Sequence, residues 1–360
     1  MLVIGIPTLN EEKNIATLVK KIDLAAKKLN LNVVIVNADS MSSDATVKKF
    51  KSTTTLAKKV VFLNSRRGKG INIFSIFNYA SQIQNLDGCI LIDGDVTSFT
   101  TEWLDKFTNQ LRCGVDLVIP NYRRNYQEGN TTNHFVYPLV AQYFNTIPVQ
   151  LIAGDFGLSP SFIKKILNKH NFGEYQMGYG IDIYITLEAL IMNAKIETID
   201  LPTKIHSPSF NKMEYMFPEV IKSMFYILKT EKVTPIIGSD KIKSNYQFFD
   251  PKSKIDRRII IKKLIKVKKE ISWFDKQYID EKTWAYIIQL TTQALNTQNI
   301  DVLSERITPL FLMRVYTYLL QNSTPTSAKK SLSRVITSLN SNSFFETNNY
   351  LTKIKSYIMR

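Results

Sequence analysis

The sequence contains little cysteine and histidine, and this excludes several classes of protein. Two cysteines and three histidines occur in 360 residues. Two cysteines cannot form a disulfide framework, and Cys89 falls in an apolar segment that is typical of a buried strand. We therefore expect reduced thiols and an intracellular, cytoplasmic protein.

Signals for export or membrane insertion are also missing. Residues 1–7 lack a basic segment followed by a long apolar one, and they are typical of a first strand. The one long uncharged stretch, Gly129 to Gly154, contains asparagine, glutamine, proline and His134. Since a membrane-spanning helix needs about 20 mostly apolar residues, we interpret this stretch as buried or pocket-lining, and His134 and His170 as structural.

Positive charge is abundant but uneven. The net charge is +16, and residues 241–360 hold 21 Lys or Arg against 9 Asp or Glu. Between Lys252 and Lys269 nine basic residues alternate with isoleucine and leucine at helical spacing. This pattern is typical of a solvated helix face beside an apolar stripe, and the alternative is a surface for anionic lipid or nucleic acid. Because no nucleic-acid motif is present, we do not expect nucleic-acid binding.

Strand and helix patterns alternate over residues 1–210. Apolar strands are predicted at 2–6, 33–36, 60–63, 90–92 and 196–201, with amphipathic helices between them. Such alternation predicts an α/β fold with a mixed, mostly parallel sheet and helices on both faces. We expect this domain to span 1–215 and a basic α-helical region to span 216–360, with residues 322–343, rich in Ser, Thr and Asn, less regular.

The most informative segment is Leu91 to Phe99, where an apolar run ends on Asp93-Gly94-Asp95. Two carboxylates at a strand end suit Mg²⁺ or Mn²⁺, ions that phosphates commonly share. The segment therefore predicts a site for the diphosphate of a sugar nucleotide. A strand-end turn in which aspartate caps the backbone is the alternative.

Other polar clusters also follow predicted strands. They are Asn10-Glu11, Asp39, Arg66 to Gly70 around Lys69, and His206. In open α/β sheets ligands bind beyond the carboxyl ends of the strands. Lys69 opens a helix whose N–H groups favour an anion, and His206 could hold a metal ion. The alternatives are a basic surface turn and an ordinary polar histidine.

Two acidic turns complete the candidate cleft. Asp182 lies in the predicted first turn of an apolar helix, where it could accept hydrogen bonds from sugar hydroxyls or simply cap the helix. Residues 152–157, which include Asp155, form a second acidic turn after an apolar run. We expect both turns to line one cleft.

In their order, these segments resemble the GT-A-fold (Rossmann-like) nucleotide-sugar glycosyltransferases. Within them, the chain is most similar to the mannosylglycerate and glucosyl-3-phosphoglycerate synthases. The resemblance spans residues 1–210 and continues weakly into 310–319. It rests on the segments Ile6–Glu12, Asp39–Thr46, Gly68–Gly70, Asp93–Phe99, Tyr179–Asp182 and Ile205–His206.

The resemblance implies a role for each matching residue. Pro7, Glu11, Asp39, Lys69, Asp93 and Gly94 would bind the nucleotide sugar; Asp93, Asp95 and His206 would hold the metal; Arg124, Thr132 and Asp182 would bind the acceptor; and Asp95, Asp182 and Lys69 would serve catalysis. It implies a metal-dependent transferase, with the anomeric configuration retained. The hexose would come from GDP-mannose, UDP-glucose or GDP-glucose and pass to a small hydroxy acid such as D-glycerate.

Three departures from the family pattern affect specificity. Asn130 stands where the phosphoglycerate enzymes carry arginine, and Asp182 where they tend to have glutamate. Both favour an unphosphorylated acceptor. Ser40 follows Asp39 where a second aspartate is usual, which leaves the base open.

The partners that we expect are the donor, a small acidic acceptor and further copies of the chain, in a dimer or tetramer. The basic C-terminal helices could also contact an anionic membrane. The alternative function is therefore a membrane-associated glycosyltransferase that acts on a polyprenyl phosphate, a polysaccharide or a protein.

Overall fold

A computed structural model of the chain describes residues 1–207, 210–236, 248–249, 255–341 and 349–360. The basic residues Lys252 and Lys254 lie outside these ranges. The chain divides into two compact units, residues 1–122 with 150–208 and residues 123–149 with 209–360. The sequence suggested a boundary near 215, and the structure differs by assigning 123–149 to the second unit.

The secondary structure alternates as expected in the first half and is helical in the second. The strands are β1 (Leu2–Thr8), β2 (Val33–Asp39), β3 (Lys58–Leu63), β4 (Gly88–Leu91), β5 (Leu117–Tyr122), β6 (Arg124–Asn125), β7 (Phe156–Leu158), β8 (Ile196–Leu201) and β9 (Phe248–Phe249). The α-helices are α1 (Ile15–Lys28), α2 (Thr46–Ser52), α3 (Lys69–Ser81), α4 (Thr101–Arg112), α5 (Tyr137–Val140), α6 (Pro160–Leu167), α7 (Ile181–Ile191), α8 (Met213–Thr230), α9 (Arg257–Glu270), α10 (Glu281–Ala294), α11 (Ile300–Gln321), α12 (Pro325–Ser341) and α13 (Asn349–Met359).

The first unit is built on a sheet with the strand order β3-β2-β1-β4-β7-β5-β8. Strands β1 to β4 pair in parallel, as do β5 and β8, whereas β7 is antiparallel to both β4 and β5. The prediction of a mixed, mostly parallel sheet is confirmed. Because β7 runs in reverse, its beginning meets the carboxyl ends of the other strands.

Helices cover both faces of this sheet. On one face α1 packs with α2 and α4, and Ile4 and Ile6 of β1 share a core with Ile15 of α1. On the other face α3 packs against β1 and β2. A Cβ atom on Gly5 would lie 2.6 Å from Ile76 Cγ2, so the glycine permits this close approach. The alternating pattern of apolar residues thus buries both sides of the strands.

The second unit is helical throughout most of its described length, as predicted for residues after 216. The expectation of irregular structure at 322–343 is wrong for most of this range, because α12 occupies Pro325–Ser341; residues 342 and 343 lie outside the described ranges. Ala328, Leu332, Val335 and Leu339 recur at three- and four-residue spacing and are buried. Their stripe is sufficient to bury one face of a helix, despite the Ser-rich composition.

The uncharged stretch 129–154 is largely buried, as expected. Within it Phe135, Val136, Leu139, Val140 and Leu151 have no exposed surface. Helices long and apolar enough to cross a membrane are absent from the described part of the chain.

Candidate active site

The ends of β1 and β2 are joined by a buried carboxylate. Asp39 accepts hydrogen bonds from Thr8 Oγ1 at 2.9 Å, from the Ser42 amide at 2.8 Å and from Ser42 Oγ at 2.6 Å. Asp39 is only 2% exposed. The residue predicted to bind the base therefore fixes the shape of the turn after β2.

A network of uncharged polar side chains ties the beginning of α3 to the same edge. Ser40 Oγ lies 2.6 Å from Asn72 Oδ1 and 3.0 Å from the Gly68 carbonyl, and it donates toward them. Asn72 Nδ2 donates to the Thr8 carbonyl at 3.1 Å. These contacts hold the segment that carries Lys69 beside the ends of β1 and β2.

Gly94 brings the segment after β4 against the segment after β1. A Cβ atom at Gly94 would lie 2.9 Å from Thr8 Cγ2, 3.1 Å from the Pro7 carbonyl and 3.2 Å from Glu11 Cγ. The structure therefore assembles Pro7, Glu11 and Gly94, which the sequence assigned to one nucleotide-sugar site.

The N-terminus of α3 differs from expectation. The Gly70 and Ile71 amides donate to the carbonyls of Gly178 and Met177, at 3.2 Å each. A Cβ atom on Gly70 would lie only 1.9 Å from the Gln176 carbonyl oxygen. The prediction that these helix N–H groups bind an anion is wrong for these two, because the loop before α7 uses them.

That loop contact aligns α3 with α7 and leads to the central feature of the site. We call this feature the ion chain; its members are Asp182, Lys69, Asp93, Lys204 and Asp155. Lys69 Nζ lies 2.8 Å from Asp182 Oδ2 and 2.8 Å from Asp93 Oδ1. Lys204 Nζ lies 2.8 Å from Asp93 Oδ2 and 2.7 Å from Asp155 Oδ2. Carboxylates and ammonium groups thus alternate along the edge of the sheet.

Asp155, Asp182 and Lys204 of the ion chain are buried, Lys69 and Asp93 are partly exposed, and the charges of the chain depend on one another. Burial disfavours the charged form of Lys69, but Asp182 and Asp93 outweigh it and raise the pKa of Lys69 above its ordinary value. Burial of Asp93 is likewise outweighed by Lys204 and Lys69, which hold the pKa of this carboxyl below its usual range. For Asp182 burial dominates over Lys69, so its pKa is raised.

Asp155 fixes the position of Asp93. Asp155 Oδ1 accepts from the Asp93 amide at 2.7 Å, and Asp155 Oδ2 accepts from the Tyr122 hydroxyl at 2.5 Å. Gly154 has φ of +83°, and a Cβ atom there would lie 2.2 Å from Asp93 Oδ2. The acidic turn at 152–157 therefore lines the same site as Asp93, as expected.

Asp182 carries an unused acceptor. Its Oδ2 contacts Lys69, but its Oδ1 is buried and has no hydrogen-bond partner within the described ranges. A buried carboxylate oxygen without a donor is costly. A hydroxyl group of a bound molecule would satisfy it.

The segment after β8 runs beside Asp95. The Ser207 amide donates to Asp95 Oδ2 at 3.2 Å, and the Thr97 amide donates to the Ile205 carbonyl at 2.9 Å. His206 lies between Ile205 and Ser207 and is partly exposed. The backbone that carries the predicted histidine is therefore next to the second aspartate of Asp93-Gly94-Asp95.

The side chains near Asp95 fit a metal ion that is held partly by substrate phosphates better than one held by protein ligands alone. Among the described residues no three His, Cys, Asp or Glu side chains form a metal-binding group. Asp93, Asp95 and His206, the three predicted ligands, therefore do not form such a group, and both carboxylate oxygens of Asp93 contact lysine instead. Asp95 and the segment that carries His206 are neighbours through the Ser207 amide. Mg²⁺ commonly binds one or two carboxylates together with substrate phosphates and water, so Asp95 and His206 are compatible with such an ion.

Comparisons with known proteins agree with this geometry. Residues 3–177 match the family model described as Glycosyl transferase family 2. The matched residues make up just under half of the chain and are similar to that family. The match includes Lys69, Asp93 and Asp95 but ends before Asp182. No curated protein matches the chain.

Solved structures share the fold of this glycosyltransferase. Glucosyl-3-phosphoglycerate synthase from Mycobacterium tuberculosis, in complex with Mn²⁺, UDP and phosphoglyceric acid, superposes with a TM-score of 0.52 and 20% identity. The alignment covers 66% of this chain and 80% of that chain. The same synthase with Mg²⁺ and UDP gives a TM-score of 0.51 at 19% identity, over 66% of this chain and 81% of the other.

Two residues predicted for the acceptor lie outside the first unit of the glycosyltransferase. Arg124 is in β6, and Thr132 begins a π-helical turn at Thr132–Val136. Both belong to the second unit. The remaining predicted residues, from Pro7 to His206, belong to the first.

Sequence reasoning missed Lys204 and Tyr122. Lys204 lies two residues before His206, and Tyr122 is the last residue of β5. Their positions in the sequence could have identified them, because Lys204 follows β8 and Tyr122 ends β5 at the edge where ligands bind. Their contact with Asp155 depends on the reversed direction of β7, which the sequence pattern did not reveal.

Proposed function

We propose that the protein transfers a hexose from a nucleotide sugar to a small hydroxy acid related to glycerate. The observation that carries the proposal is the buried, unpartnered Oδ1 of Asp182 at the end of the ion chain. This atom accepts a hydrogen bond from a sugar or acceptor hydroxyl. Lys69, which contacts the same carboxylate, places positive charge next to it.

The ion chain orients the reacting groups. Lys204 and Asp155 hold Asp93, and Asp93 in turn holds Lys69 beside Asp182. We expect Lys69 to lie beside the donor diphosphate and Asp182 to bind a hydroxyl group of the hexose or the acceptor. Rigid placement of reactants converts a bimolecular encounter into a local reaction.

A divalent cation is part of the proposal. Asp95 and His206 are the residues that would hold Mg²⁺ or Mn²⁺ next to the donor. When bound, such an ion stabilises the negative charge of the leaving nucleoside diphosphate. The Mn²⁺, Mg²⁺ and UDP in the M. tuberculosis synthase complexes support the choice of ions and of a nucleotide donor.

We infer the acceptor-binding residues from the chemical types of two side chains. Arg124 and Thr132 are suited to a carboxylate, since arginine binds it with paired N–H groups. We expect Arg124→Ala to raise KM for an acidic acceptor more than KM for the donor. Acceptor kinetics equal to those of the unchanged protein would exclude this role.

A substrate screen tests the proposed function directly. Purified protein is incubated with UDP-glucose, GDP-glucose or GDP-mannose, with and without D-glycerate or 3-phosphoglycerate, and with Mg²⁺, Mn²⁺ or EDTA. We expect nucleoside diphosphate release that requires both metal and acceptor, and a product whose NMR spectrum shows the donor's anomeric configuration. Release with no dependence on either acid would contradict the acceptor class.

Three further expectations accompany this function. We infer a dimer or tetramer, which light scattering tests, and a cytoplasmic location, which fractionation tests.

The alternative acceptor is a polyprenyl phosphate, a polysaccharide or a protein. Transfer of label from the donor to a lipid extract, with none to glycerate, would favour that alternative.

A further inference from the structure

Helix α9 carries an unusual combination of charge and exposed apolar surface. Seven residues of this 14-residue helix are lysine or arginine: Arg257, Arg258, Lys262, Lys263, Lys266, Lys268 and Lys269. Ile260 and Val267 are each 2% exposed and form its buried side. The helix packs on α11 within the second unit.

The outward side of α9 is both basic and apolar. Ile261 is 42% exposed and Ile265 is 53% exposed, and they are one turn apart. At 100° per residue, Arg258, Lys262 and Lys269 fall on the same side as these isoleucines, opposite Ile260 and Val267. All three are exposed. The two isoleucines are therefore bordered by cations on the surface.

Part of the basic character of α9 is used within the second unit. Lys263 Nζ lies 2.5 Å from Glu214 Oε1, and Lys266 Nζ lies 3.4 Å from Glu214 Oε2. Lys266 borders the outward side, whereas Lys263 lies nearer the buried side. Arg258 Nη2 lies 2.9 Å from Asp256 Oδ2, in the residue before the helix. The side formed by Arg258, Ile261, Lys262, Ile265 and Lys269, which we call the α9 surface, contains no acidic residue of the helix itself.

We propose that the α9 surface docks onto an anionic lipid bilayer. Its cations complement acidic headgroups, and its isoleucines enter the interface between headgroups and acyl chains. A nucleic acid would complement the charge but would offer little to aliphatic side chains that lack a stacking face. The combination of both features therefore favours the membrane.

Vesicle sedimentation tests the proposal with the full-length protein. The vesicles are phosphatidylcholine alone or phosphatidylcholine with 30% phosphatidylglycerol. We expect binding to the anionic vesicles at least about tenfold stronger than to the neutral ones, and weaker binding at 0.5 M NaCl. Equal binding to both vesicles, or none to either, would overturn the proposal.

Two double variants separate the charges from the isoleucines. Lys262→Glu with Lys269→Glu should weaken anionic vesicle binding by at least about tenfold. The matched control is Lys27→Glu with Lys28→Glu at the exposed end of α1, which makes the same change in net charge. Equal weakening by both pairs would show a general charge effect and contradict docking by α9.

The second variant is Ile261→Ser with Ile265→Ser, which keeps every charge. It should weaken vesicle binding several-fold while leaving retention on heparin unchanged. If vesicle binding is unaffected, the isoleucines do not insert, and the α9 surface is only a site for polyanions. Thermal unfolding followed by circular dichroism serves as the folding readout for all variants.

Discussion

Each of the two units buries a charged cluster, and the clusters differ in what surrounds them. In the first unit the ion chain lies where strands end. Each cluster has one buried atom without a partner within the described residues, Asp182 Oδ1 in the first unit and Arg314 Nε in the second. In the second unit Arg314 is 1% exposed and is enclosed by helices. Its guanidinium donates to the Ile279 carbonyl at 3.0 Å and to Ser331 Oγ at 2.8 Å, and it lies 3.5 Å from Glu281.

The different surroundings indicate that the Arg314 cluster and the ion chain have different roles. Burial disfavours the charged form of Arg314 and lowers its pKa, although Glu281 partly offsets this effect. The Arg314 cluster links α10, α11 and α12, so its contacts serve packing. The ion chain instead joins loops at the edge where ligands bind in α/β sheets. Burial alone therefore does not identify a functional charge, whereas its place in the fold does.

The largest expected effect lies at the proposed metal ligands. Asp95→Ala and His206→Ala should each lower hexosyl transfer by about 10³-fold, because each removes a ligand of the same ion. Nucleoside diphosphate release measures the loss, and thermal melting should show a folded protein. Near-normal activity of either variant with added Mn²⁺ or Mg²⁺ would exclude this site.

A somewhat smaller loss is expected at Asp182. Asp182→Asn keeps the shape of the side chain but removes its charge, so hydroxyl binding and the contact with Lys69 both weaken. We expect kcat to fall by about 10²-fold. If Asp182 binds a hydroxyl, KM should change by at least about threefold together with this loss. Unchanged kcat and KM would leave Asp182 only as the buried partner of Lys69.

A comparison of Lys204 with Arg314 tests the contrast between the two units. Removing one partner of a buried ion pair costs about 3–5 kcal/mol, so Lys204→Met and Arg314→Met should both lower the free energy of unfolding. Only Lys204→Met should also lower kcat per folded molecule, because it releases Asp93. Urea unfolding and active-site-normalised kinetics measure the two quantities.

The conservative variants sharpen this test. Lys204→Arg keeps the charge beside Asp93 and Asp155 and should recover part of the lost kcat, whereas Arg314→Lys should change stability alone. A loss of kcat in Arg314→Met equal to that in Lys204→Met would remove the distinction between the clusters.

A smaller loss of activity is expected at Gly154, and Gly114, which also has a positive φ, is its matched control. Gly154→Ala and Gly114→Ala both place a side chain in the left-handed region, which costs about 1–2 kcal/mol. At Gly114, with φ of +74°, the new Cβ atom meets no atom within 4 Å, whereas at Gly154 it meets Asp93 Oδ2 at 2.2 Å. We expect only Gly154→Ala to lose transfer activity. Equal activity of the two variants would mean that Asp93 can move without consequence.

The smallest effect concerns His134 and pH. Its ring nitrogens lack hydrogen-bond partners within the described ranges, and burial, followed by nearby Arg314, lowers its pKa well below 6.5. The unfolded chain therefore binds this proton more readily than the folded chain. Stability should fall as pH drops below 6.5, by at most about 1.4 kcal/mol per pH unit from this group.

Urea unfolding at pH 7.5 and 5.5 measures this dependence. His134→Phe should flatten it, since the aromatic contact with Tyr318, at a ring separation of 4.3 Å, can be kept. His170→Gln, at an exposed position, should leave it unchanged. An unaltered pH dependence in His134→Phe would assign the effect to other groups.

Much of the fold was predictable because local sequence patterns determined it. Apolar runs with turn residues between them located β1 to β4, and β8 was predicted at its observed range. Helix α12 was missed because its Ser-rich composition outweighed its apolar spacing in the prediction. The rule that ligands bind beyond the carboxyl ends of strands also predicted that Asp39, Lys69 and Asp93 lie at one edge of the sheet.

What the sequence alone determined was which residues lie at strand ends, since strand and helix periods are local properties. Only the tertiary structure decided which of these residues meet. The reversal of β7 brings Asp155 beside Asp93, and the contact of Gly70 with the 176–178 loop aligns Lys69 with Asp182. Both contacts join residues about 60 or more positions apart, where spacing along the chain carries no information about distance in space.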